Sequence, residues 1–66
     1  MPYRLLSKRE FEVLELVSSG SDNAQIASKL GITTATAKTH LRNIYSKTDV
    51  RNRTELAVGY LISKGR

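Results

Sequence analysis

Apolar residues recur along this chain at helical spacing, and nowhere do they alternate with polar ones over the length of a strand. Phe11, Leu14 and Val17 lie three apart, and Val13 and Leu16 widen the same apolar face. Ser7 followed by Glu10 forms a capping-box pattern before that run, with Pro2 lying outside it. Gly20, after Ser18 and Ser19, supplies a stop, so a first helix is expected over about 7–19. Asp22 or Asn23 can cap a second helix, over 23–30, that buries Ile26, Ala27 and Leu30 and ends at Gly31. Thr33 then offers a fresh cap for a third, over 34–48. The connection between these two is about three residues long, which forces a steep crossing. Ala27 lets the helices approach, and Gly31 accepts a left-handed backbone.

The third helix divides into faces at about 100° per residue. Ala37, Leu41, Ile44 and Thr48 fall in one narrow stripe that must face the core. Opposite them stand Ala35, Lys38, Thr39, Arg42 and Ser46. Thr36, His40, Asn43 and Lys47 form one flank, and Tyr45 stands on the other. A fourth helix, over 53–63, is apolar on more than one side through Leu56, Ala57, Val58, Tyr60, Leu61 and Ile62. So small a domain buries one stripe of such a helix, which leaves Val58, Leu61 and Ile62 for a second partner. Gly59 costs about 1 kcal/mol against alanine in a helix interior, which close approach of another helix would justify. The expected fold class is all-α, a four-helix helix-turn-helix domain filling residues 1–66.

Composition narrows the function. With 66 residues the chain is one domain at most. It has no cysteine, which excludes disulfides and cysteine-type zinc sites and fits a reducing compartment such as the cytoplasm. The one histidine, His40, cannot build a metal site alone and has no catalytic companion, so neither a cofactor nor an enzymatic reaction is expected. Glu12 and Glu15, three apart, read as a solvated helix face rather than an acid/base pair. The longest apolar run, residues 56–62, is too short to span a bilayer, and no signal-peptide core is present; direct membrane contact is not expected.

Charge changes the picture most. The net charge is +5, yet residues 1–37 balance to zero. The excess lies wholly in Lys38, Arg42, Lys47, Arg51, Arg53, Lys64 and Arg66, set against only Asp49 and Glu55. A basic half favours a polyanion. The outward face of the third helix carries no acid, unlike an ordinary solubilising face, and an α-helix fits the major groove of B-DNA. There Lys38 and Arg42 can donate to guanine, and Thr39 can hydrogen-bond or set its methyl against thymine. Ala35 lets the helix start come close, and Thr33, Thr34 and Thr36 offer neutral phosphate contacts. His40 at the stripe's margin combines packing with a phosphate contact, and Asn43 lies beside it.

The stretches LSKREFEVLELVSSG, NAQIASKLGIT, TAKTHLRNIYSK and VRNRTEL closely resemble the LuxR-type helix-turn-helix domain found at the C-terminus of many bacterial response regulators. The likeness covers roughly residues 5–62. It implies a transcription regulator that dimerises on double-stranded DNA through its fourth helix. It places base reading on Lys38, Thr39 and Arg42, and backbone contacts on Asn23, Thr33, Thr36 and Lys47. It also implies a regulatory domain N-terminal to this segment, with RNA polymerase as a further candidate partner. The family usually has valine or isoleucine where Ala37 stands and leucine where Thr48 stands, so the third helix is expected to sit closer or pack less tightly. The rival reading is a protein-interaction module whose basic helix docks an acidic partner, such as a polymerase subunit or a receiver domain. Against it, protein anchors favour aromatic residues, and this face has only Tyr45 at its edge.

Overall fold

Local capping chemistry sets the helix starts in the computed structural model, which describes residues 2–64. A 3-10 helix, Pro2–Leu5, leads into α1 (Lys8–Ser18), α2 (Asn23–Leu30), α3 (Thr34–Thr48) and α4 (Arg53–Lys64). Before α1, Ser7 Oγ accepts the Glu10 N–H at 3.1 Å while the Ser7 N–H donates to Glu10 Oε1 at 2.9 Å. Asp22 and Gln25 make the same reciprocal pair before α2, both bonds at 2.8 Å. The Thr33 side chain caps α3 by accepting the Thr36 N–H at 3.1 Å. Each pair satisfies donors that the first helical turn leaves unpaired. The expected first helix thus loses a residue at either end to caps at Ser7 and Ser19, and the fourth gains Lys64.

All four α-helices feed one core. Leu14 from α1, Ile26 from α2, Ile44 from α3 and Leu56 from α4 are fully enclosed together with Val13. The α3 stripe Ala37, Leu41, Ile44 and Thr48 is buried, as its spacing predicts. Ala37 is completely enclosed, and the Thr48 hydroxyl donates to the Ile44 carbonyl at 2.7 Å, so the hydroxyl is satisfied inside the helix. Gly31 ends α2 in the left-handed region at φ 67°, which permits the sharp turn into α3.

Three expectations need correction. Phe11 does not enter the core; it stays 37% exposed with its ring edge-on to Tyr60 at 5.5 Å. Leu30 is only half-buried. Gly59 is crowded by Tyr3 rather than by another helix: a Cβ there would stand 2.5 Å from the Tyr3 hydroxyl. Tyr3 is buried and packs T-shaped on Tyr60 at 6.0 Å, so the 3-10 segment adds a residue of its own to the core. Burial pushes both hydroxyls above the ordinary tyrosine range, and the nearby Glu15 charge adds to the effect at Tyr60.

The C-terminal end of α3 carries local strain. Asp49 caps it at φ 58°, the left-handed region that costs a residue with a Cβ about 1–2 kcal/mol. Its carboxylate also sits at the negative end of the helix dipole. Asp49→Gly is therefore expected to raise stability by about 1 kcal/mol, seen as a higher thermal midpoint. An unchanged or lower midpoint would refute this account.

Candidate nucleic-acid interface

Burial of the α3 stripe turns the opposite face outward. Ala35, Lys38, Thr39, Arg42 and Ser46 are all exposed there. From Thr34 to Thr48 the helix contains no aspartate or glutamate, so the face carries positive charge only. The Thr39 hydroxyl donates back to the Ala35 carbonyl at 3.1 Å, which fixes its rotamer and leaves its oxygen lone pairs available as acceptors. Lys38, Thr39 and Arg42 thus share one accessible surface, as the spacing predicts.

The flank residues are more constrained than their sequence shows. At the start of α3 the Thr33 hydroxyl donates to Thr36 Oγ1 at 3.0 Å while accepting the Thr36 N–H. Thr33 is thereby occupied, whereas the Thr36 hydroxyl proton can still be donated outward. His40 is half-buried and Asn43 exposed. Lys47 is bound at 2.7 Å to Oε1 of Glu10, a residue only 4% exposed, while the lysine side chain itself remains 39% exposed. The Lys47 hydrogen bond, with the Ser7 N–H beside it, holds the Glu10 carboxyl below the usual carboxylate range against the opposing effect of burial. Lys47 therefore joins the end of α3 to the start of α1 and still shows part of its charge to solvent.

Asn23 belongs to a second polar cluster. Its Oδ1 accepts from Arg53 Nη1 at 2.7 Å, and Arg53 Nη2 donates to the Ser21 carbonyl at 2.6 Å. In the sequence Arg53 stands at the start of the fourth helix as one of the surplus cations, and nothing in its neighbours signals a partner 30 residues away. Val58, Leu61 and Ile62 stand 49%, 52% and 56% exposed on α4, an apolar group that the core does not absorb. Among the described residues no group of histidine, cysteine, aspartate and glutamate could hold a metal, and no helix is long and apolar enough to cross a membrane.

Comparison with known proteins decides the lineage. The family described as bacterial regulatory proteins, luxR family, matches residues 4–59, most of the chain. The chain belongs to the luxR family. Members are DNA-binding transcription regulators with a helix-turn-helix domain, which accords with the all-α fold and the acid-free face of α3. Among luxR-type relatives, the transcriptional regulatory protein LiaR of Bacillus subtilis is 48% identical over 58 residues, covering 88% of this chain and 28% of LiaR. The monoamine regulon transcriptional regulator of Klebsiella aerogenes is 50% identical over 52 residues, covering 79% of this chain and 23% of that protein. The response regulator protein VraR of Staphylococcus aureus is 45% identical over 56 residues, 85% of this chain and 27% of VraR. The chain thus spans about a quarter of the length of the curated relatives it matches.

Proposed function

We propose that α3 enters the major groove of double-stranded DNA and reads base edges with Lys38, Thr39 and Arg42. The observation that carries this reading is the outward face of α3, exposed, small or basic, and without an acid over its whole length. Thr36, His40, Asn43 and Lys47 lie along one flank, where a phosphate strand borders the groove. Asn23 contributes through its amide donors at the start of α2, and Thr33 contributes as the cap of α3 that leaves the Thr36 hydroxyl free to donate. The chain would act in the cytoplasm as the effector segment of a longer regulator, with an N-terminal regulatory domain supplying the signal. The quarter-length coverage of LiaR and VraR supports that arrangement.

Binding to random duplex at low salt, followed by salt titration, tests the core of this reading. Affinity is expected to fall steeply with salt as phosphate counterions are recaptured, and selection from a random pool should return a defined site. No binding to duplex at micromolar protein would instead favour docking on an acidic protein.

The exposed apolar group on α4 fits pairing of two copies on half-sites about one helical turn apart. Val58→Asp and Ile62→Asp are each expected to abolish cooperative binding to a two-half-site duplex, while thermal stability changes by no more than about 0.5 kcal/mol. Unfolding of the isolated domain would place these residues in the core and remove the dimer reading.

A further inference from the structure

A helix lying in the major groove has a phosphate strand on each side. The flank of Thr36, His40, Asn43 and Lys47 faces one of them. The opposite flank of α3 has only Tyr45, and other helices complete it. Asn23, the first residue of α2, and Arg53, the first of α4, join Lys38, Leu41, Arg42 and Tyr45 around one shallow groove. Three of these six residues are cationic and none is acidic.

The polar groups there are arranged for an anion. Arg53 spends one N–H on Asn23 and one on the Ser21 carbonyl, both neutral acceptors, so its charge is held in place but not cancelled. This contrasts with Lys47, whose ammonium lies on a carboxylate. Because the oxygen of Asn23 is taken by Arg53, the donor side of that amide is what remains to offer. Leu41 and Tyr45 supply the apolar part of the lining. Positive charge and fixed N–H donors with no competing carboxylate are what a phosphate oxygen requires.

We infer that this groove seats a backbone phosphate of the second DNA strand, with Arg53 as its fixed cation and as the positioning residue of Asn23. The inference rests on α3 being the major-groove helix. Because the contact is to phosphate, it adds affinity on every sequence and fixes the register in which Lys38 and Arg42 meet base edges.

Duplex binding by Arg53→Gln and Asn23→Asp tests it, using a selected site, random duplex and the selected site with single methylphosphonate substitutions. Asn23→Asp keeps an acceptor for Arg53 but removes the amide donors and adds a negative charge. Both variants are expected to melt as folded domains and to lose about tenfold in affinity on selected and random duplex alike, with the salt slope reduced by about one for Arg53→Gln. Neutralising one particular phosphate should weaken the unaltered protein but cost Arg53→Gln nothing more. Arg53→Lys, which keeps charge but cannot span both acceptors, should recover the salt slope and only part of the affinity. If Arg53→Gln does not fold, the Asn23→Asp result decides. Folded variants that bind like the unaltered protein overturn this groove alone, since selection of a defined site would still stand. Absence of any duplex binding by the unaltered protein overturns the proposed function and this inference together.

Discussion

Replacing Lys47 by methionine is expected to destabilise the domain by about 2 kcal/mol, because it leaves the carboxylate of Glu10 enclosed without its cation. The figure is below that for a sealed ion pair because the lysine side chain is 39% exposed and water can partly replace it. A chain of 66 residues commonly has only about 3–10 kcal/mol of stability, so the loss is a large fraction. Denaturant melts of the isolated domain read this directly. Acid should produce a related effect. The Glu10 carboxyl titrates lower in the folded protein than in the unfolded chain. Its contribution is therefore complete above the ordinary carboxylate range and is lost as the pH falls through the depressed folded value. Glu10→Gln cannot titrate, so stability measured against pH should lose that part of its acid limb. An unchanged acid limb would show that the pair contributes little. On DNA, Lys47→Met should weaken selected and random duplex alike, an effect measurable below the melting temperature of the variant.

The largest effect on recognition is expected from Arg42→Ala. Arg42 is exposed on the outward face of α3, and among the described residues neither a salt bridge nor a hydrogen bond holds its guanidinium to the domain. Truncation should leave stability nearly unchanged and cost about 1–3 kcal/mol on the selected site, roughly a 5- to 150-fold loss. Discrimination should relax at one base pair, which binding to a set of single-base variants would locate. An equal loss on selected and random duplex would reduce Arg42 to a phosphate contact.

The stripe Ala37, Leu41, Ile44 and Thr48 was legible because helical periodicity is a local rule that a fifteen-residue helix repeats several times. The Ser7–Glu10 cap was legible for the same reason, its partners being three residues apart. The outward face of α3 followed from the stripe by elimination. Contacts between distant residues were not legible. Glu10 reads from sequence as a capping residue, and nothing nearby announces that its carboxylate also receives an ammonium 37 residues later. Pro2–Leu5 is too short to show a period, so the burial of Tyr3 and the reason for Gly59 were both hidden. Phe11 has the spacing of a core residue, but its ring packs T-shaped on Tyr60 and stays at the surface. Arg53 resembles the other surplus cations until the fold brings it to Asn23 and Ser21.

One oxygen atom has a wider consequence. Glu10 Oε1 accepts both the Ser7 N–H and the Lys47 ammonium, so the entry to the first helix and the last turn of the third share an acceptor. If DNA draws Lys47 toward a phosphate, the Ser7 amide becomes the principal donor to that oxygen and its hydrogen bond tightens. The amide resonance of Ser7 then serves as a built-in gauge in solution, reporting how the reading helix is seated from a position outside the proposed DNA-contacting surface.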